Sequence, residues 1–123
     1  MKSSKILVVD DEPFVIRYLR RVLEGFPEVE VQTAETAQEA LQRVKAEGMD
    51  LVFLDISLPD GDGLEVMREM KALRPGIRVV LFTGVYPDDG PKIKQALKMG
   101  AYDYLEKPLP ITHLKKIIQE AFA

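Results

Sequence analysis

Acidic residues in this chain gather where apolar runs stop. The run at 6–9 ends in Asp10-Asp11-Glu12, and the run at 51–54 ends in Asp55. A third run, 79–82, is followed by Thr83-Gly84, and a mixed segment at 102–105 is followed by Glu106-Lys107-Pro108. If the two acidic ends meet, they cannot all stay charged without help. Two unit charges ~4 Å apart at an effective dielectric near ~20 repel by roughly 4 kcal/mol, so such a cluster needs a cation or must hold protons. A hard divalent ion with oxygen ligands is the simpler answer. Magnesium typically takes one or two carboxylates, keeps several waters and bridges to a phosphoryl oxygen. Thr83 and Lys107 suit the same ligand, because a hydroxyl can donate to one phosphoryl oxygen and an ammonium is a mobile point charge. Gly84 would let a ligand come close to the backbone. Taken singly, each residue has a plainer explanation: an Asp after a strand is usually a turn residue or a helix cap, and Thr83 is a good strand former. The argument rests on their coincidence.

Whether they coincide depends on the elements that carry them. Runs 6–9, 51–54 and 79–82 are continuously apolar and rich in β-branched residues, which predicts central strands of a parallel sheet. Segments 29–32 and 102–105 alternate apolar with polar residues and are expected at the sheet edges. Five helices are predicted between and after these strands. Pro13 opens the first, whose Val15, Leu19, Val22 and Leu23 share a face before Gly25 and Pro27. Thr36 with Glu39 forms a capping box for the second, which Gly48 closes, and Asp62 with Glu65 repeats the pattern for the third, ahead of Met67 and Met70. The fourth starts at Pro91 and carries Ile93, Ala96 and Leu97 to Gly100. The fifth follows Pro110 with Leu114, Ile117, Ile118 and Ala121 on one stripe. Five βα units with right-handed crossovers predict an α/β, flavodoxin-like doubly wound three-layer sandwich: a five-stranded parallel sheet, order 2-1-3-4-5, with helices on both faces. In that order a crevice opens at the carboxyl ends of the first and third strands, where Asp10, Asp11 and Asp55 stand.

Composition narrows the function classes. With 17 Lys and Arg against 20 Asp and Glu the net charge is −3, and no basic stripe suggests direct nucleic-acid binding. No apolar run approaches the roughly 18 residues of a membrane span, and the first residues do not read as a signal peptide. There are no cysteines, which excludes thiolate metal sites; a cytoplasmic protein is expected. The length suits one domain, 1–123. His113, the sole histidine, reads as a surface residue, and Met67, Met70 and Met99 read as core filler.

Asp10-Asp11, the stretch Asp55-Ile56-Ser57-Leu58-Pro59-Asp60-Gly61-Asp62-Gly63-Leu64, Thr83-Gly84 and the stretch from Gly100 through Tyr104 to Lys107-Pro108 resemble, in this order, the motifs of response-regulator receiver domains of two-component systems. Each motif is weak alone; together they cover nearly the whole chain. The resemblance implies a phosphorelay switch in which Asp55 takes a phosphoryl group from a phosphohistidine. Asp11 and Asp55 would bind magnesium or manganese through carboxylates, with the backbone carbonyl of Ser57 as a further ligand and Asp10 acting mainly through bound water. Lys107 and Thr83 would hold phosphoryl oxygens. Thr83 and Tyr104 would form the switch, Tyr104 turning inward on activation and remodelling the surface of the fourth helix, fifth strand and fifth helix. The implied partners are a sensor histidine kinase or phosphotransfer protein, an effector domain or protein on that surface, and a phosphorylation-dependent homodimer. Such a domain assists its own phosphorylation and dephosphorylation and is not otherwise an enzyme. Ser57 and Val85 resemble the positions that tune phosphate lifetime, and the connection at 85–91 is longer and richer in proline than is common in the family.

Other readings of the same fold fare worse. A flavodoxin-like carrier needs Ser, Thr and Gly amides after the first strand, where Asp10-Asp11-Glu12 would repel its phosphate. A haloacid-dehalogenase-like phosphatase would carry a second Asp two residues after the first, and here that residue is Ser57. A calcium loop starting at Asp55 would have Asp60 where Gly is required and Val66 where Glu is required. A degenerate receiver serving only as an interaction module remains as the alternative.

Overall fold

The computed structural model describes residues 4–84 and 90–122. Its elements run β1 (Ser4–Val9), α1 (Pro13–Leu23), β2 (Val29–Ala34), α2 (Ala37–Ala46), β3 (Leu51–Asp55), a short hairpin of β4 (Ser57–Leu58) and β5 (Gly61–Asp62), α3 (Gly63–Leu73), β6 (Arg78–Thr83), α4 (Gly90–Lys98), β7 (Asp103–Glu106) and α5 (Ile111–Ala121). The main sheet is wholly parallel in the order β2-β1-β3-β6-β7. With the β4-β5 hairpin set aside, this is the expected order 2-1-3-4-5, with the two mixed strands at the edges.

Alternation along the strands sorts the core into two layers. Leu7, Val9, Val52, Leu54, Val79 and Leu81 pack with α2, α3 and Ala96 of α4. Their neighbours Ile6, Val8, Leu51, Phe53, Val80 and Phe82 pack with α1 and α5. Phe53 and Phe82 stack at 5.5 Å between ring centroids, in the layer beneath α1 and α5. The chain therefore leaves β1 toward one face and β3 toward the other, and this divergence opens the crevice at their carboxyl ends.

Several local expectations need correction. Leu97 is 44% exposed, and of the three apolar residues assigned to α4 only Ala96 is buried. The fifth sheet strand starts at Asp103 rather than Tyr102. The capping box at α2 is half formed: Thr36 Oγ1 accepts the Glu39 N–H at 3.1 Å, whereas the Glu39 carboxylate lies 3.7 Å from Arg43 Nε. At α3 the Asp62 carboxylate accepts from Leu64 rather than Glu65, and Glu65 pairs instead with Arg68. Gly48 does not close α2 with a left-handed turn; Glu47 leaves the helix in extended conformation. Among the described glycines only Gly100 has positive φ, at 99°, ending α4.

Candidate functional site

The backbone fixes the two acidic positions. The Asp10 N–H donates to Ala34 O at 3.1 Å, extending the β1-β2 ladder by one residue, and Asp55 closes β3 in register with Phe82. Asp10 is fully buried, Asp55 is 5% exposed, and Thr83 at the end of β6 is 2% exposed. Asp11 and Glu12 face solvent. Carboxylate oxygens of Asp10, Asp11, Glu12 and Asp55 lie within 4.8 Å of one another.

Lys107 bridges this cluster. Its Nζ lies 3.0 Å from Glu12 Oε1 and 3.2 Å from Asp55 Oδ2, both as hydrogen bonds. It also lies 3.0 Å from Asp10 Oδ2, but without the alignment of a directed hydrogen bond. The lysine is held there by its own backbone, since Lys107 N–H donates to Thr83 O at 2.8 Å, and the Lys107–Pro108 peptide is cis. Burial pulls the Lys107 ammonium toward the neutral form, but the carboxylates of Glu12, Asp10 and Asp55 outweigh it and leave its pKa well above the ordinary lysine value. Asp55 is shifted upward. Burial is the main cause and the Asp10 charge adds to it, while the Ser57 N–H at 2.9 Å and Lys107 oppose it.

The residues present fit a hard cation. Buried Asp10 Oδ2 has the Lys107 ammonium 3.0 Å away, but that one cation is shared with Glu12 and Asp55 in a cluster of four carboxylates. One ammonium cannot neutralise four gathered carboxylates, and a further hard cation would relieve the remaining repulsion. A cleft of about 780 Å³ opens at the cluster, lined by Asp11, Glu12, Asp55, Ser57, Gly84 and Lys107 together with the largely apolar Phe14, Val15, Tyr18, Pro108 and Leu109.

Of the residues singled out from sequence, Asp10, Asp11, Asp55, Ser57 and Lys107 gather at this crevice, and Thr83 stands at the end of β6 with its carbonyl accepting the Lys107 N–H. Tyr104 lies away from it on β7, 37% exposed, with its N–H bonded to Asp103 Oδ1. Val85 and most of the proline-rich connection lie outside the described residues. His113 is an exposed residue on α5, 3.0 Å from Asp103 Oδ2.

Two contributors had no assigned role. Glu12 belongs to the acidic run in sequence, where nothing pairs it with Lys107, 95 residues away. Asp60 reaches across to α2 and accepts the Ala37 N–H at 2.7 Å and the Gln38 N–H at 3.2 Å. With Thr36 taking the Glu39 N–H, three of the four free donors at that helix end are satisfied. The only sequence signal for Asp60 was an acidic residue in a Pro-Asp-Gly turn, which does not name a distant helix.

Comparison with known proteins identifies the family and the fold. The sequence model described as "Response regulator receiver domain" matches residues 6–119. The transcriptional regulatory protein ZraR of Escherichia coli K12 is 36% identical over 118 residues, which is 96% of this chain and 26% of that protein. The chain thus spans about a quarter of the length of that relative. The chemotaxis protein CheY of Halobacterium salinarum is 35% identical over 106 residues, 86% of each chain. A crystal structure of a response regulator receiver domain protein from Clostridium thermocellum superposes with a TM-score of 0.85 at 32% identity, covering 96% of this chain and 93% of that one.

Proposed function

The chain belongs to the response regulator receiver domain family, and on that premise we propose that residues 1–123 act as one phospho-accepting switch with Asp55 as the acceptor. The observation that carries this reading is the place of Asp55: at the end of the central strand β3, 5% exposed, between the buried Asp10 and the Lys107 ammonium. Of the clustered carboxylates it alone stands on β3, at the cleft wall shared with Ser57, Gly84 and Lys107.

In the proposed reaction an Asp55 oxygen attacks the phosphorus of a phosphohistidine on a sensor kinase or phosphotransfer protein. The N–P bond breaks, an acyl phosphate O–P bond forms, and the leaving imidazole keeps the bonding electron pair. Lys107 offers its ammonium to one phosphoryl oxygen and the Thr83 hydroxyl donates to another. Asp10, Asp11, Asp55 and the Ser57 carbonyl are the residues that would hold magnesium or manganese. Such an ion supplies charge neutralisation between the carboxylates and the phosphoryl oxygens. The Ser57 N–H bond to Asp55 Oδ1 restrains the carboxylate, leaving Oδ2 beside Lys107 to react.

Output is proposed to run through Thr83 and Tyr104 to the surface of α4, β7 and α5, where an effector domain or protein, or a second phosphorylated copy, would dock. Backbone continuity supports this: Thr83 O holds Lys107 N–H, and β6 and β7 pair from Val80 to Thr83. The domain is then a regulator that only assists its own phosphorylation and dephosphorylation, working in the cytoplasm. No helix among the described residues is long and apolar enough to cross a membrane.

Incubation with acetyl phosphate and magnesium, followed by intact mass, tests the assignment. One hydroxylamine-labile phosphoryl group is expected on the wild type and none on Asp55→Asn. Label on Asp55→Asn at the wild-type rate would place the acceptor elsewhere, and no label on the wild type would leave a degenerate receiver that acts only by binding.

A further inference from the structure

We propose that Glu12 is a positioning residue: its carboxylate holds the Lys107 ammonium in a resting position from which an incoming phosphoryl group must displace it. This rests on the reading of Asp55 as the acceptor. An ammonium has three donors. In Lys107 two are spent on Glu12 and Asp55, and the third side faces Asp10 Oδ2 at 3.0 Å. A phosphoryl oxygen can therefore gain the lysine only if one carboxylate gives it up.

The three carboxylates differ in how easily they let go. Side chains of Asp10 and Asp55 are 0% and 7% exposed and sit at the ends of ladder-paired strands, so neither can be replaced by water cheaply. The Glu12 side chain is 55% exposed and would be rehydrated at once. Its backbone is pinned, since Glu12 N–H donates to Asp10 Oδ1 at 2.9 Å and Glu12 O accepts from Val15 and Ile16 at the start of α1. Its side chain, by contrast, makes no capping bond and is free to reach Lys107. Glu12 is thus fixed at its root and solvent-facing at its tip, the arrangement a releasable restraint requires.

Two substitutions in the full chain separate this role from simple charge. Glu12→Gln removes the charge; Glu12→Asp keeps it but is one methylene too short to reach Lys107 from the same backbone position. The measurement is the apparent Kd for beryllofluoride, a phosphoryl mimic, in magnesium buffer, read from amide signals at Gly84. Both variants are expected to bind on the order of two- to fivefold more tightly than wild type, the size of effect from releasing a solvent-facing ion pair. Magnesium affinity without beryllofluoride is measured alongside, because Glu12 stands within 4.8 Å of the other clustered carboxylates. If Glu12→Asp binds like wild type while Glu12→Gln tightens, only charge repulsion is at work and the restraint is wrong. Weaker beryllofluoride binding with weaker magnesium binding would instead make Glu12 part of the metal site. Failure of the parent reading looks different, for then Asp55→Asn would bind beryllofluoride as well as wild type does.

Discussion

Gly63→Ala adds one methyl group where the structure has no room for it. A Cβ there would sit 2.6 Å from Ile56 Cα, 2.8 Å from Ile56 O and 3.0 Å from Ile56 C. All three are backbone atoms, so no side chain can rotate away. Nor can Ile56 retreat easily: its N–H donates to Phe82 O at 3.0 Å, its carbonyl accepts the Gly63 N–H at 3.0 Å, and the residue as a whole is 2% exposed. Forced overpacking typically costs about 1–3 kcal/mol, and loss of the Gly63 hydrogen bond adds roughly 0.5–1.5 kcal/mol. A destabilisation of about 2–4 kcal/mol follows, which for a domain of this size lowers the melting temperature by roughly 8–15 °C. Because Ile56 is the residue after Asp55, the same shift should slow acyl-phosphate formation in protein that remains folded. Gly76→Ala is the matched control, since a Cβ there meets nothing within 4 Å, and its stability should change by about 0.5 kcal/mol or less. Thermal and urea melts of the three proteins, with intact-mass labelling by acetyl phosphate, make the comparison. A Gly63→Ala protein that melts within ~2 °C of wild type and labels at the same rate would refute the close-approach argument.

Asp60→Ala should lower the melting temperature at neutral pH by freeing the α2 donors. Because bonding to Ala37 holds the Asp60 carboxyl below its ordinary 3.8, that contribution is present above 3.8 and fades as pH falls through the lower folded value, so melts of the two proteins should converge in strong acid. Asp55 has the opposite sign. Its folded pKa is raised by burial and by Asp10, so its contribution is greatest below 3.8 and is lost as pH rises through the folded value. Ionised Asp55 thus costs stability at neutral pH, and in chelator-containing buffer Asp55→Asn should melt higher than wild type, with the gap closing in acid. Magnesium should raise the wild-type melting temperature by relieving the gathered carboxylates, and Asp11→Asn should lose most of that shift; an undiminished shift would put the ion elsewhere. Thr83→Ala should still accept beryllofluoride but pass less change to amides around Tyr104; a full wild-type response there would break the link between Thr83 and Tyr104.

What could be read from sequence was whatever repeats or punctuates. The apolar runs that became β1, β3 and β6 are hydrophobic at every residue, and the mixed composition of β2 and β7 marked them as edges, which matches the observed order. Asp10, Asp55 and Thr83 could be placed because each follows such a run directly, and Lys107 because it comes just after the mixed segment at 102–105; once the order is known, their meeting is a matter of topology. Helix ends were less legible. A capping motif states which residues could bond, but Glu39 had a competing partner one turn on in Arg43, and the α2 donors were taken by Asp60 from a different loop. Leu97 illustrates a related limit, since α4 is too lightly packed for periodicity to say which apolar residues are covered.

The least legible feature was how charge is shared once the site is assembled. Sequence order shows Lys107 beside a proline and Glu12 beside two aspartates, with nothing to join them. The link arises because four neighbouring parallel strands end close together: β1 leads into Glu12 just before α1, β3 delivers Asp55, and the β6-β7 pairing holds Lys107 through Thr83 O. A single ammonium then faces carboxylates of unequal burial, and burial decides which bond is exchangeable. The two deep aspartates set where the cation must sit, whereas the solvent-facing glutamate sets how firmly it is held there. Substitutions at Asp10 or Asp55 should therefore damage the site itself, and a substitution at Glu12 should only tune it.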